Sequence, residues 1–156
     1  MWAQKLFVFF LTDIPQSLAL VFLFFTLLDV KFKIGSFYAI SLGYALLPYL
    51  VKPLVDDGVH TLISIFALIL IAVIWGRANK VKSILFAIIS FCIAILSELL
   101  SLIIFWAYKF NFDVLSKDDF TNAIAGVSSI CILFIVCSII FYIKENKKRK
   151  QKDAII

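Results

Sequence analysis

The sequence predicts an all-α integral membrane protein, a bundle of about five transmembrane helices with its N-terminus outside and its C-terminus cytoplasmic. Three observations carry this expectation. Hydrophobic residues make up 63% of the 156 positions, against roughly 45–50% in an ordinary soluble domain. Mean hydropathy is +1.07, and only 16% of residues are charged. A soluble fold of this length has too little interior to hide so much apolar surface. The apolar residues are also gathered into five runs, each close to the roughly 20 residues that a bilayer-crossing helix needs. A typical cytosolic enzyme, a disordered chain and a nucleic-acid-binding domain are excluded on these grounds.

The five runs are Lys5–Leu28, Phe37–Val55, Gly58–Gly76, Val81–Tyr108 and Thr121–Ile143. The first resembles a signal peptide in position. It is long, contains Asp13 and Pro15, and lacks a small-residue cleavage site, so it reads as a retained span. The second is the least regular, because Pro48, Lys52 and Pro53 crowd its end. The third opens on Gly58 and His60. The fourth carries Glu98 deep inside an otherwise apolar stretch. The fifth runs into a basic tail, 144–156. Residues 1–143 thus form one membrane unit, with no soluble domain in the short connections.

Charge sets the expected orientation. Lys31, Lys33, Arg77, Lys80 and Lys82 fall on the same side as the six basic residues of the tail. That side holds eleven basic residues, and the opposite side holds four, Lys5, Lys52, Lys109 and Lys117. The positive-inside rule places the richer side in the cytoplasm. Trp2, Trp75, Trp106, Tyr108 and Tyr142 fall at span ends, as an aromatic belt does. The net charge of +5 is therefore chiefly a tail, whose Lys147, Lys148, Arg149 and Lys150 face lipid headgroups and anchor the topology. The expected location is the cell membrane, multi-pass, in a bacterial plasma membrane.

Ionisable groups at bilayer depth need a reason, because insertion of each costs about 2.5–3.5 kcal/mol. Asp13 lies roughly 12 Å from the outer start of the first span, and Glu98 roughly 15 Å from the outer end of the fourth, at about 1.5 Å per residue. His60 enters the same outer layer somewhat shallower. Asp13, Gln16 and Ser17 share one helix face. Pro15 lacks a donor and clashes with the Leu11 carbonyl, which predicts a kink or open turn. On the fourth span, Ser97, Glu98 and Ser101 form a matching polar face. Beneath them runs a stripe of small residues, Ser83, Ala87, Ser90, Ala94, Ser97 and Ser101, at spacings of four and three. Small stripes let helices approach closely, and this one is expected to turn the Glu98 side into the bundle. Asp13, Gln16, His60, Glu98, Ser97 and Ser101 therefore constitute a polar layer that either lines a ligand pocket or holds helices in register.

Catalytic and metal chemistry find no pattern here. His60 has no nearby thiol, and a lone histidine has no zinc-ligand spacing with the distant acids. Cys92, Cys131 and Cys137 lie in apolar runs and read as small hydrophobes. No catalytic residue, metal or cofactor is expected, and no phosphate-binding glycine pattern occurs.

Four short stretches carry a resemblance. Ile14-Pro15-Gln16-Ser17, Asp29-Val30-Lys31-Phe32-Lys33, Gly58-Val59-His60-Thr61 and Ser97-Glu98 resemble, in order and spacing, the N-terminal membrane region of Firmicute sensor histidine kinases of the agr-like quorum-sensing type and related small stand-alone membrane proteins. Together they cover roughly Leu11 to Ile104. Gln16 stands where that family's pattern has an acid. A kinase would continue from its last span into a dimerisation helix and an ATP-binding domain, and residues 144–156 offer neither. The resemblance therefore implies a sensor-like membrane module without kinase activity. It would receive a small extracellular or lipid-phase signal and act through a membrane or cytoplasmic signalling partner. The lipid bilayer is its expected surrounding, nucleic acid is not expected as a partner, and self-association is compatible with the sequence. Two alternatives stand beside it. One is a small transporter or transporter subunit using Asp13 and Glu98. Pro15 supplies one helix break for such a role, without a matching break in a second half. The other is a structural or assembly protein.

Overall fold

The structure, a computed structural model, describes residues 6–30, 33–51, 57–74, 79–107 and 119–153; the side chains of 48–49, 57–58, 60, 119–125 and 152–153 lie outside that description. Every element among the described residues is helical. A π-helical turn, Phe9–Asp13, leads into α1, Ile14–Leu28. Helix α2 is Ile34–Val51, α3 is Asp57–Ile74, α4 is Lys80–Ala107 and α5 is Asp119–Asp153. Three helical stretches are long and apolar enough to cross a membrane: Leu6–Leu28, Lys80–Ala107 and Gly126–Gln151. Ile34–Leu47 and Thr61–Ile74 are shorter apolar helices. The molecule is therefore an α-helical protein of membrane composition.

The distortion expected at Pro15 takes the form of the π turn before it. An α-helical Pro15 would press its ring onto the Leu11 carbonyl and leave that carbonyl without a donor. Widening the preceding turn by one residue relieves both problems. The Ile14 N–H donates to Phe9 O, the five-residue step of a π-helix. At the edge of the wider turn, the Thr12 hydroxyl donates to Val8 O at 2.6 Å.

Helix α1 is the centre of the bundle and packs against α2, α4 and α5. Ser17, Ala19, Leu20, Val21, Leu23, Phe24 and Phe25 are all buried on it. These positions cover about two thirds of the circumference, the pattern of a helix with neighbours on most sides, and the partly buried Leu18 and Phe22 fill the remaining arc. Helix α3 packs on α2 and α4. Tyr44 of α2 and Ser64 of α3, both buried, share a hydrogen bond that joins these two shorter helices.

On α4 the buried residues are Ser83, Ala87, Ser90, Ala94, Ser97 and Ser101, the small-residue stripe in full. Its serines are mostly satisfied within their own helix. Ser83 donates to Asn79 O, Ser90 to Phe86 O and Ser97 to Ile93 O, at 2.7–3.0 Å. A hydroxyl folded back on its own turn leaves the surface small and effectively apolar, so neighbouring backbones can come close. The first turn of α4 is capped by Asn79, whose side-chain oxygen accepts the Val81 N–H at 3.0 Å. The opposite face of α4, including Leu85, Ile88, Leu96 and Leu99, is apolar and exposed.

Helices α1 and α5 run parallel and stay in contact along their length. Going down α1, Thr12 meets Gly126, Ala19 O meets the Cys137 thiol, Thr26 O meets Lys144 and Asp29 meets Lys148. These contacts span about 25 Å of helix axis at about 1.5 Å per residue. Parallel first and last helices are what five alternating helices require.

Candidate functional site

The polar layer is built chiefly by α1, α4 and α5. Gln16 sits one turn into α1, just past the π turn. Its Nε2 donates to Glu98 Oε1 of α4 at 3.0 Å. One turn further along α4, the buried Ser101 hydroxyl bonds directly to the Ser128 hydroxyl of α5. Asp13 is half-buried at the end of the π turn, three residues before Gln16. The structure thus brings Gln16 to Glu98 and Ser101 to Ser128, and Ser97 is buried beside Glu98 with its hydroxyl donating to Ile93 O of its own helix. His60 belongs to α3, and its side chain lies outside the described residues.

Glu98 itself departs from the sequence expectation. It is exposed, whereas Ser97 and Ser101 are buried. The reason is the helical step of about 100° per residue. Centring the stripe on Ser97 and Ser101 turns Glu98 off its axis, to the edge where α4 meets α1. The carboxylate then reaches back across the seam to Gln16 instead of pointing into the bundle. An amide is a fitting partner there, because it donates an N–H to the carboxylate without bringing a second charge into an apolar layer. The site therefore stands as a polar seam. Among the described residues, no group of three or more His, Cys, Asp or Glu side chains gathers to hold a metal ion.

A second constellation lies at the other end of α1, and sequence reasoning does not find it. Helix α1 stops at Asp29, which adopts φ 62°, the left-handed conformation that usually ends helices at glycine. The Asp29 N–H reaches Thr26 O and the Val30 N–H reaches Phe25 O. Lys144 of α5 completes this cap from outside, donating to Thr26 O at 2.6 Å and to Leu27 O at 2.9 Å. A cation on the last carbonyls of a helix is favourably placed against its dipole. One turn on, Lys148 pairs with the Asp29 carboxylate. The signal available in the sequence is that Asp29 and Lys144 are each the first charge after an apolar run. Two parallel helices bring such residues to the same level, but only if the helices are neighbours.

Beside this cap is a cleft of about 610 Å³ between α1, α2 and α5. Phe22 forms its floor, with Phe37 of α2 at 6.4 Å and Phe141 of α5 at 5.8 Å between ring centres. Its rim carries Asp29, Lys144, Glu145 and Lys148.

No family model, no curated protein and no solved structure matches this chain.

Proposed function

We propose that this chain is a non-enzymatic multi-pass membrane protein, a sensor or regulatory module of a bacterial plasma membrane. In this reading the basic end faces the cytoplasm and the polar seam faces outward. The seam receives a small extracellular or lipid-phase signal, and the chain passes it to a signalling partner. The single observation that carries this is the continuity of α5. It runs unbroken over 35 residues, Asp119–Asp153. It touches the π turn at Thr12, bonds α4 through Ser128, and clamps the far end of α1 through Lys144. A displacement at the seam has one rigid element through which to reach the basic end. The resemblance to sensor membrane regions supports the same direction.

A test is crosslinking and co-purification from native membranes, with wild type beside Gln16→Leu and Glu98→Gln. The proposal expects a reproducible membrane or cytoplasmic signalling partner, whose association or output changes in the two variants. A chain that stays solitary in the native membrane removes it.

The direct Gln16–Glu98 hydrogen bond favours a second reading, in which the seam only keeps α1 and α4 in register. Interhelical hydrogen bonds in membranes average about 0.6 kcal/mol. Gln16→Leu should then lower stability in detergent by about that amount. Glu98→Gln, which can still accept from Gln16, should lower it less. Partner association unchanged in both variants supports this second reading over the first.

A further inference from the structure

We propose that the cleft at the basic end of α1 is a binding site for one acidic phospholipid, whose phosphate diester takes Lys144 and Lys148 while an acyl chain lies on the aromatic floor. This inference rests on the geometry of that end and not on the role assigned to the polar seam.

The cleft is layered as a phospholipid is. Its deep part is hydrocarbon: Phe22, Phe25, Phe37 and Phe141, from three different helices. Its rim is ionic, and the change from one to the other coincides with the end of the apolar run of α5 at Ile143 and Lys144. From Phe22 to Asp29 the wall is about 10 Å tall at about 1.5 Å per residue. That height accommodates the glycerol and the first part of an acyl chain beneath a headgroup at the rim. The volume of about 610 Å³ is of the size that small amphipathic ligands occupy.

The availability of the two rim ammonium groups, and the basic residues that follow them on α5, favour an anion. Lys144 spends two of its three N–H donors on neutral carbonyls, so its positive charge is not cancelled by the groups it bonds. Lys148 pairs with Asp29, but both side chains are well exposed, at 41% and 55%. Such a pair is weak, and a phosphate can share or take over the ammonium at small cost. Within one helical turn the α5 backbone adds Lys147, Arg149 and Lys150. On the cleft itself Lys144 and Lys148 face two anions, Asp29 and Glu145, and the excess of positive charge comes from Lys147, Arg149 and Lys150, which are not part of its lining. A lipid with a net negative headgroup meets that field, and a zwitterionic one gains little from it.

The test uses the full chain purified in dodecyl maltoside and native mass spectrometry. Phosphatidylglycerol and phosphatidylcholine compete at equal concentration, with inorganic phosphate in a separate arm. The expected result is a single retained phosphatidylglycerol, preferred over phosphatidylcholine by about thirtyfold, the contribution of two basic residues towards a headgroup of net negative charge. The double variant Lys144→Gln, Lys148→Gln should lose the preference. Ile34→Trp, at an exposed position on the cleft wall, should lose the adduct by filling the site while helical content by circular dichroism is unchanged. The triple variant Lys147→Gln, Arg149→Gln, Lys150→Gln should keep it. The proposal is overturned by equal retention of the two lipids, or by a graded series of several lipids. It is also overturned by retention of inorganic phosphate to the same extent, or by loss of the adduct in the triple variant with retention in Ile34→Trp.

Discussion

Ala87→Leu is expected to destabilise the bundle by about 3 kcal/mol, the upper part of the range for forcing extra methylenes into a packed core. Ala87 has no exposed surface and is the second residue of the stripe on α4, a helix that packs against α1, α3 and α5. In a bilayer, lipid tails are as apolar as leucine, so burying the larger side chain brings little transfer gain. What remains is the loss of close approach between helices. That is a large fraction of the 5–15 kcal/mol typical of a folded domain. Thermal unfolding in detergent, followed by circular dichroism, should show a markedly lower midpoint. Leu85→Ala, two residues away on the exposed face, is the control and should change stability by no more than about 0.5 kcal/mol. Equal effects from the two substitutions would mean that the stripe is not the packing face of α4.

The second large effect concerns the meeting of α5 with the π turn. A Cβ added to Gly126 would fall well inside van der Waals contact with the Thr12 γ-methyl. Thr12 cannot turn that methyl aside cheaply, because its hydroxyl is held by Val8 O. Two opposing terms decide the outcome of Gly126→Ala. Replacing a helical glycine by alanine gains about 1 kcal/mol of helix propensity, whereas overpacking costs about 1–3 kcal/mol. The steric term wins, and the variant should unfold earlier than wild type. Thr12→Ser removes the obstructing methyl and keeps the hydroxyl. In that background Gly126→Ala should become neutral or stabilising by up to about 1 kcal/mol, as propensity alone dictates. A double-mutant cycle in detergent measures the coupling, expected at about 2 kcal/mol between contacting residues. Additive effects would show that α1 and α5 do not meet there.

The buried face of α4 is legible in the sequence alone, because small residues spaced by three and four residues mark a close-packing surface wherever the helix goes. The direction of Glu98 is not legible in the same way. Six positions identify the stripe, but its centre depends on which neighbours press on it, and a shift of one residue moves a side chain by about 100°. Pro15 announces a distortion, yet a kink, an open turn and a π turn all relieve a proline clash. The packing of Thr12 against Gly126 accompanies the π turn that the chain adopts. The seam partner of Glu98 is Gln16, a residue that the sequence places in the correct layer without indicating a direct bond. Lys144 reads as the beginning of a solvated tail. It instead caps α1, because the last turn of α1 presents carbonyls that need donors.

By itself, the sequence determined that this protein is helical and of membrane composition, where its apolar helices lie, and which face of α4 is small enough to be buried. Those properties follow from local chemistry: apolar transfer, helical periodicity and the geometry of single residues such as proline. Only the tertiary structure decided that α1 is the central helix and that α1 and α5 run side by side. From that pairing come the bond between Gln16 and Glu98 at one end, and the Lys144 cap with its aromatic cleft at the other. The reason is that five apolar helices are nearly interchangeable to the hydrophobic effect, which has no direction. Their arrangement is chosen by steric fit and by a few directional hydrogen bonds, and these exist only between residues far apart in the chain.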